Sequence, residues 1–315
     1  MRSPSRTPGA PRFTAAAPAP ITGPFPYRGH RALITGASSG IGEAFARLLA
    51  ARGMNLVLVA RSERALRALA SRLSARHAVS VEVLPMDLSR EGAAHALHAR
   101  CREQSLTVDL LINNAGFATH GTFEAVPQAR QHAQVMLNVT ALMDATHLFL
   151  PAMLARGQGG IINVASVAGY QPLPYMATYA ATKAFVLSFT EALWAENRKR
   201  GVRVVALSPG PVDTSFFAVV GSRRVSVGPI ATAEQAARAG LRGLEKGRPS
   251  FIAGWRNWLQ ANVPRFVPRA VTVKVAAGVL KPPTRMRPAD GGSAAVALPP
   301  EHQARTLDFL APARR

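Results

Sequence analysis

A tyrosine and a lysine four residues apart have side chains suited to proton transfer. Tyr179 and Lys183 fall in a helix-like stretch, residues 175–200, and residues at this spacing lie one turn apart on one helix face. A phenol with a pKa of about 10 is a poor base near neutral pH. A nearby ammonium favours the phenolate and lowers that pKa. The pair predicts acid–base chemistry on an alcohol or carbonyl oxygen, although the spacing alone is also compatible with a solvated helix face.

Two further polar residues fit the same chemistry. Ser166 follows an apolar strand, residues 160–165, and precedes Tyr179 by thirteen residues. Its hydroxyl could bond the oxygen that Tyr179 protonates. Asn138 stands among apolar neighbours in a helical region, residues 127–156. We expect it either to be a core amide with satisfied hydrogen bonds or to hold a water in a proton relay through Lys183.

A glycine-rich turn near the start of the chain is typical of a phosphate site. The segment Thr35-Gly36-Ala37-Ser38-Ser39-Gly40-Ile41-Gly42 lies between an apolar strand and a helix-like stretch. Glycines let the backbone approach a ligand, and the helix N-terminus favours an anion. In an alternating strand–helix chain this anion is most often a nucleotide pyrophosphate. The expected ligand contacts are Gly36, Ser38, Ser39, Gly40, Ile41 and Gly42; their glycine spacing departs from G-x-G-x-x-G.

Other candidate binding residues follow the later strands. Asn113-Asn114-Ala115-Gly116 could leave room for an adenosine ribose or could be a plain turn. Asp87, followed by Leu88, could accept from an adenine amino group or cap a helix beginning near Ser89. Pro209-Gly210-Pro211 could shape a nicotinamide site. The expected contacts in these turns are Asp87, Asn114, Ala115, Gly116, Pro209 and Gly210.

The elements that would position these residues alternate between strand and helix from residue 31 onward. Near-continuous apolar strands indicate a parallel sheet covered on both faces. We therefore expect an α/β fold: a Rossmann-type doubly wound parallel sheet of about seven strands, helices on both faces, and a C-terminal helical extension. The expected organisation is a disordered tail over 1–28, a catalytic domain over 29–253, a basic and apolar extension over 254–282, and a disordered tail over 283–315.

Charge and composition narrow the class of protein. The 315 residues include 38 Lys and Arg against 17 Asp and Glu, a net charge of +21, which raises nucleic acid, anionic membranes and anionic small molecules as partners. A single cysteine, Cys101, excludes an intrachain disulfide and fits a reducing compartment. Without a run of about 18 apolar residues or a signal-peptide core, no spanning helix is expected. The expected location is the cytoplasm, with peripheral contact with an anionic membrane as the alternative.

The ordered set of motifs resembles the short-chain dehydrogenase/reductase family over about residues 30–250. The resemblance implies that Tyr179 is the acid/base and that Ser166 orients the substrate. It implies that Lys183 binds the nicotinamide ribose and tunes Tyr179, so that both also belong to the cofactor site, and that Asn138 holds the relay water. It further implies cofactor contacts by Leu88, Val212 and Thr214. It also implies a homodimer or homotetramer that pairs through the long helices at 127–156 and 175–200.

The residue after the second strand indicates which nicotinamide cofactor is used. An acidic residue at that strand end would hold the ribose diol and select NAD. Here Ala60 is followed by Arg61, which with Ser62 and Arg64 could bind a 2′-phosphate. Arg61 could also be a solvated helix-start residue. We expect NADP(H) in preference to NAD(H), and carbonyl reduction as the direction.

Substrate and partners are less constrained by the sequence. Apolar residues in the segments that line family substrate sites suggest a lipophilic ketone, aldehyde or acyl group: Phe117, Val167, Tyr170, Leu173, Tyr175, Met176, Phe216, Phe217 and Trp255. The basic, aromatic segment 255–287 could be a lid or an oligomer contact. An alternative function is an NADP(H)-binding scaffold or redox sensor on an anionic membrane. No metal and no nucleic-acid partner are expected, and lyase, dehydratase or epimerase chemistry on this fold stays open.

Overall fold

The computed structural model describes residues 24–213 and 230–282. Its centre is a sheet of seven parallel strands in the order β3-β2-β1-β4-β5-β6-β7, which confirms the expected fold class. The strands are β1 (Arg31–Thr35), β2 (Asn55–Ala60), β3 (Val81–Pro85), β4 (Leu110–Asn113), β5 (Gly159–Val164), β6 (Val202–Ser208) and β7 (Ser250–Ile252).

Helices connect the strands and cover both faces of the sheet. They are α1 (Gly40–Ala50), α2 (Glu63–His77), α3 (Ala93–Glu103), α4 (Gln128–Val135), α5 (Ala141–Ala155), α6 (Ala177–Asn197), α7 (Ala233–Glu245), α8 (Trp255–Asn262) and α9 (Arg269–Leu280). A π-helical turn, Met136–Thr140, joins α4 to α5. Two short 3₁₀ helices are formed by Val167–Tyr170 and Val263–Phe266.

The strand order reverses at β1, which pairs with β2 on one side and β4 on the other. In open parallel sheets a ligand binds outside the carboxyl ends of the strands at this reversal. Thr35 ends β1 and Asn113 ends β4, so the glycine-rich turn and the Asn114 turn leave the sheet side by side. The topology therefore positions the two segments that the sequence assigned to a nucleotide.

Two hydrophobic cores lie on opposite faces of the sheet. Ile34 and Leu58 face the core under α1, α2 and α7, whereas Leu33 and Val57 face the core under α3 and α5. Strands buried on both faces explain the continuous apolar runs in the sequence.

Four buried polar side chains cross the second core. Asn113 Nδ2 donates to Asn163 Oδ1 at 2.9 Å and to Thr146 Oγ1 at 3.0 Å. Asn163 Nδ2 in turn donates to Thr190 Oγ1 at 3.0 Å. This chain of hydrogen bonds ties α5, β4, β5 and α6 together, because a buried polar group without a partner would be costly. It fixes the register of the strands that carry the site.

Two boundaries differ from the sequence-based expectation. Helix α3 begins at Ala93 with Gly92 as its N-cap, so the helix start expected near Ser89 is wrong. Packed structure begins before residue 29: Phe25 is buried in the core, and Tyr27 Oη donates to Glu245 Oε1 at 2.7 Å. The apolar side chain of Phe25 explains the second difference, since Gly160 leaves space for its ring.

The helical run Gln128–Ala155 is long and apolar enough, by length and composition, to cross a membrane. The sequence analysis did not expect such a helix. Phe149 and Met153 of this run pack into the core beneath the sheet, and buried Thr146 takes part in the polar chain described above. The run is therefore a layer of this fold.

Candidate active site

Tyr179 and Lys183 lie in the first two turns of α6 with their side chains buried, 8% and 6% exposed. Lys183 Nζ donates to the main-chain oxygen of Val164 at 2.7 Å, at the carboxyl end of β5. The ammonium also lies 5.9 Å from the centre of the Tyr179 ring. The predicted pairing of phenol and ammonium on one helix face is therefore present in the structure.

Ser166 lies where β5 ends and is the N-cap of the 3₁₀ helix Val167–Tyr170. Its hydroxyl accepts from the main-chain N–H of Ala168 at 3.1 Å. The same side chain is hydrogen-bonded to Tyr179. The strand end and the helix thus bring Ser166, Tyr179 and Lys183 together, as the sequence predicted.

Burial decides the ionisation of both groups. It raises the pKa of Tyr179 to about 12, and the hydrogen bond from Ser166 acts in the opposite direction. It lowers the pKa of Lys183 to about 8. The sequence predicted that the lysine would lower the pKa of Tyr179. That prediction is wrong, because desolvation of the phenolate dominates. A phenol that is protonated at neutral pH can donate its proton to a carbonyl oxygen.

Asn138 belongs to the π-helical turn and is 1% exposed. Its Nδ2 donates to the main-chain oxygen of Phe117 and to Thr182 Oγ1, at 3.0 and 3.1 Å. Its Oδ1 accepts from the Phe117 N–H at 3.1 Å. The side chain is thus a satisfied core amide, one of the two expected outcomes, and the relay water stays a prediction. A β-carbon at Gly116 would lie 2.9 Å from Asn138 Oδ1 and 3.6 Å from Lys183 Nζ, so these residues meet.

Gly169 is a site residue that sequence reasoning missed. A β-carbon at this position would lie 2.6 Å from the main-chain oxygen of Lys183 and 3.0 Å from the N of Ala184. The 3₁₀ helix that begins after Ser166 therefore rests directly on the backbone of α6. A glycine three residues after a serine carries no special signal in a sequence, so only the packing reveals this requirement.

Thr35 is a second residue missed as a participant in the site. Its Oγ1 accepts from the main-chain N–H groups of Asn114 and Ala115 at 2.9 and 3.0 Å. Asn114 Nδ2 returns a hydrogen bond to the Thr35 oxygen at 2.9 Å. A β-carbon at Gly42 would collide with the Gly36 oxygen and lie 2.6 Å from Asn114 Nδ2. The absence of a side chain at these glycines therefore lets their backbone pack closely against the neighbouring turn at Asn114.

The remaining geometry of this turn fits a dinucleotide pyrophosphate. Gly36 and Gly40 have φ angles of +67° and +59°, which glycine adopts without strain. Helix α1 begins at Gly40, so its N-terminal dipole faces the turn. Ser38, Gly40 and Ile41 are partly exposed and Ser39 is exposed. The chain therefore offers accessible backbone and hydroxyl groups where the fold family places a phosphate.

Arg61 follows β2 at the same edge of the sheet and is exposed. The main-chain N–H of Ala37 donates to the Val59 oxygen at 3.2 Å, which ties the glycine turn to this strand end. Ser62 Oγ accepts from the Ala65 N–H at 3.4 Å and caps α2. Arg61 makes no hydrogen bond or ion pair with the part of the chain that the structure describes. Its guanidinium is therefore accessible to a ligand.

Asp87 and Leu88 follow β3. Asp87 Oδ1 accepts from the N–H and the hydroxyl of Ser89, at 3.0 and 2.7 Å. The carboxylate thus stabilises a local turn, and it does not cap α3. The Leu88 side chain is buried in the second core. Any contact of Leu88 with a cofactor would have to come from its main chain.

The Pro209–Pro211 turn follows β6 and is covered by α8. A β-carbon at Gly210 would collide with the amide of Asn257, a residue that is 4% exposed. Asn257 Nδ2 donates to the Ala253 oxygen at 2.6 Å, whereas its buried Oδ1 has no partner among the described residues. Val212 is buried and forms a bridge with Ala231. Thr214, Phe216 and Phe217 lie outside the described residues.

Comparison with known proteins agrees with this geometry. The family model for short chain dehydrogenases matches residues 30–224, more than half of the chain, so the chain belongs to the short-chain dehydrogenase family. A very-long-chain 3-oxoacyl-CoA reductase of Phaeosphaeria nodorum is 36% identical over 197 residues, which is 61% of this chain and 58% of that protein. Sulfoacetaldehyde reductase 2 of Chromohalobacter salexigens is 39% identical over 189 residues, covering 59% and 74%.

The solved structures include a similar short-chain dehydrogenase from Sphingobium yanoikuyae, determined in complex with NADPH. It shares 33% identity and a TM-score of 0.68, covering 83% of this chain and 99% of that one. The chain spans little more than half the length of the fungal relative. Fold and family are therefore established by the comparisons.

Proposed function

We propose that this protein is an NADP(H)-dependent oxidoreductase that reduces the carbonyl group of a lipophilic substrate to an alcohol. One observation carries the proposal: a buried, protonated Tyr179 is hydrogen-bonded to Ser166 and lies one turn from the buried ammonium of Lys183. This is a proton donor, a second hydroxyl and a cation in one place. That combination suits transfer of a proton to a carbonyl oxygen.

The roles of the side chains follow from their positions. When bound, NADPH supplies the hydride that the carbonyl carbon receives. Tyr179 gives its phenolic proton to the carbonyl oxygen, and Ser166 donates a hydrogen bond that orients that oxygen. Lys183 holds positive charge beside the phenolate that remains, which favours the ionised form until it regains a proton. Asn138 holds the main chain of Phe117 with two hydrogen bonds and lies against Gly116. The relay water that we predicted remains part of this proposal.

The preference for NADP(H) rests on Arg61. The side chain is exposed at the end of β2, where an acidic residue would select NAD. A guanidinium can hold a 2′-phosphate through charge-assisted hydrogen bonds. The Sphingobium yanoikuyae structure contains NADPH, which supports the same choice. The glycine turn, Asn114, Ala115, Pro209 and Val212 would form the rest of the cofactor site.

The lipophilic substrate is inferred from the surroundings of Tyr179. Its ring packs in a small apolar cluster with Ala118, Met176 and Leu173. Trp255, which we expected near the substrate, is instead 69% exposed. The names of the relatives point to two different substrates, a long acyl chain and a small anionic aldehyde. The proposal of a lipophilic substrate therefore rests on the apolar cluster around Tyr179.

A homo-oligomer is part of the proposal. Val135, Met143 and Phe185 are large apolar side chains between 37% and 39% exposed on the helical run 128–155 and on α6. Phe185 stacks on Phe189 at a ring separation of 5.5 Å. Association through these faces would bury them. A Phe185→Arg variant should therefore reduce the molar mass measured by light scattering.

The proposed activity is tested by following NADPH consumption with a panel of ketones and aldehydes of increasing chain length. We expect turnover that rises with apolar length and that the Tyr179→Phe variant loses. NADPH binding without turnover of any panel member would favour the alternative, a cofactor-binding scaffold or sensor. Turnover of a substrate without net consumption of NADPH would instead indicate lyase, dehydratase or epimerase chemistry. Failure to bind NADPH would contradict the proposal.

A further inference from the structure

The large apolar side chains that the described residues expose are concentrated on α8, on α9 and on the 3₁₀ helix between them. Eight of the thirteen lie between Trp255 and Val279, and the exposed fraction reaches 87% at Phe266. We call these eight residues the C-terminal apolar face. They are Trp255, Trp258, Leu259, Val263, Phe266, Val271, Val275 and Val279.

The spacing of these residues shows that they form continuous surfaces. Trp255, Trp258 and Leu259 are three and four residues apart in α8, so they share one side of that helix. Val271, Val275 and Val279 repeat every four residues in α9 and form a stripe. The opposite sides of both helices carry the buried residues Asn257, Ala261, Ala276 and Leu280. Each helix thus packs inward on one side and exposes an apolar side outward.

Cations surround this face and no acid accompanies them. Arg256, Arg265, Arg269, Lys274 and Lys281 are all exposed. Residues 246–289 contain no Asp or Glu. None of the five cations forms an ion pair within the part of the chain that the structure describes. Elsewhere, exposed arginines do pair with acids, as Arg67 does with Glu63 and Arg238 with Glu234.

The charge decides which partner this face suits. In a symmetric contact with a second copy, the same patch would face itself, so the cations would oppose one another. A nucleic acid would match the cations but would leave the valines and tryptophans exposed, since such interfaces are polar. A bilayer with anionic headgroups matches both features: apolar side chains enter the interface, tryptophan is favoured there, and cations contact the headgroups.

We propose that the C-terminal apolar face is a docking surface for a membrane with anionic headgroups. This proposal goes beyond the reductase activity and does not require it. The inward sides of the same helices contact loops beside the site. His120 Nε2 lies 2.9 Å from the Leu280 oxygen, and Asn257 packs on Gly210. A membrane bound to the outer side would therefore lie next to the loops that follow β4 and β6.

The test is co-sedimentation of the full-length chain with vesicles. Phosphatidylcholine vesicles with and without phosphatidylglycerol are compared at low and high salt, in the absence of cofactor and substrate. We expect binding to the anionic vesicles that falls as salt rises and little binding to the neutral ones. Since cofactor and substrate are absent, the result is independent of the reductase proposal.

Two double variants separate the apolar and the charged contributions. Trp258→Ser/Phe266→Ser and Arg265→Glu/Lys274→Glu are each expected to lower the partition coefficient at least tenfold, in line with the energies of interfacial side chains. Matched controls are Phe123→Ser/Ile230→Ser, exposed apolar residues elsewhere, and Arg100→Glu/Lys199→Glu, exposed cations elsewhere. The controls should bind like the wild type, and thermal unfolding of every variant shows whether it is folded.

Several results would overturn the proposal. Absence of binding to anionic vesicles would do so directly. Equal loss in the face variants and in the controls would show that net charge or general apolarity is responsible. A change from dimer to monomer in the face variants, measured by light scattering, would assign the face to a contact between copies. Tighter binding to double-stranded DNA than to anionic vesicles at the same salt would assign it to nucleic acid.

Discussion

The Nζ atom of Lys183 donates to the main-chain oxygen of Val164 at 2.7 Å. Val164 precedes Ser166 by two residues, so this hydrogen bond holds the ammonium near the strand end that carries Ser166. This contact ties the second turn of α6 to the carboxyl end of β5. The acceptor is a neutral carbonyl, and burial lowers the pKa of the lysine to about 8. Residues 24–213 and 230–282 contain no buried Asp or Glu to accompany this buried cation, which therefore has a cost in stability that depends on pH.

The pH dependence of stability should reveal this buried lysine. Its pKa is about 8 in the folded protein and 10.5 in the unfolded chain, so the unfolded chain binds more protons between these values. Stability from this group therefore rises with pH over that interval. Relative to Lys183→Met, the wild type should gain about 2 kcal/mol in free energy of unfolding between pH 7 and pH 9.5. Urea unfolding of both proteins at the two pH values measures this gain.

A control variant isolates the effect of the buried position. Lys199→Met removes the positive charge of an exposed lysine just beyond α6 and is measured beside Lys183→Met, so that loss of a charge is compared at a buried and an exposed position. If the Lys183→Met difference is independent of pH, the buried ammonium does not titrate as described.

Gly169 should be required for the arrangement of Ser166 and Tyr179. In Gly169→Ala the added methyl group meets the main chain of α6, so the 3₁₀ helix must shift. A displacement of this size costs about 1–3 kcal/mol of stability and roughly 100-fold in kcat. Gly278→Ala is the matched control, because outside its own helix no atom of the described residues lies within 4 Å of the added group. Similar kcat values for the two variants would show that the contact does not position the site.

Because Gly210 and Asn257 are in contact, substitutions at the two positions should have non-additive effects on the free energy of unfolding. Gly210→Ala introduces a methyl group that collides with the Asn257 amide and should destabilise the protein by about 1–3 kcal/mol. Asn257→Ala removes the amide and its unpaired oxygen, so the double variant should be more stable than the sum of the single effects, by about 0.5–3 kcal/mol. A double-mutant cycle of unfolding free energies measures this coupling. Strict additivity would mean that the loop and α8 relax independently.

The preference for NADPH should depend on Arg61. Arg61→Ala should raise KM for NADPH about 10- to 100-fold, because a hydrogen bond between charged groups is lost, and should leave KM for NADH unchanged. Initial rates with the two cofactors measure the effect. Arg67→Ala is the control, since Arg67 lies on α2 and pairs with Glu63 at 2.6 Å. An equal effect of Arg61→Ala on both cofactors would exclude a role in binding the 2′-phosphate.

The sequence predicted those parts of the site that depend on strand order and helix periodicity. Gly36, Asn114 and Ser166 were placed correctly because parallel strands end at one edge of the sheet. Tyr179 and Lys183 were placed correctly because their spacing matches one helical turn. The expected number of about seven strands is confirmed, and the short β7 is the last strand of the sheet.

Features that depend on tertiary packing could not be predicted from the sequence. The Gly169 requirement arises from the backbone of α6, which is not adjacent in the sequence. The raised pKa of Tyr179 depends on how deeply the helix is buried, whereas the sequence showed only a nearby cation. Trp255 has an aromatic side chain that would suit a core, and its exposure is determined by the orientation of α8.

The central claim is tested most directly by following hydride and proton transfer together. The wild type and the Tyr179→Phe variant are incubated with NADPH that carries deuterium in place of both hydrogens at the nicotinamide C4 atom and with the ketone that reacts fastest, and the alcohol is analysed by mass spectrometry. We predict deuterium at the carbinol carbon with the wild type. We predict that the deuterated alcohol appears about 100- to 10,000-fold more slowly with the variant, which binds NADPH but lacks the proton donor. Equal rates for the two proteins, or an alcohol without deuterium, would contradict the account.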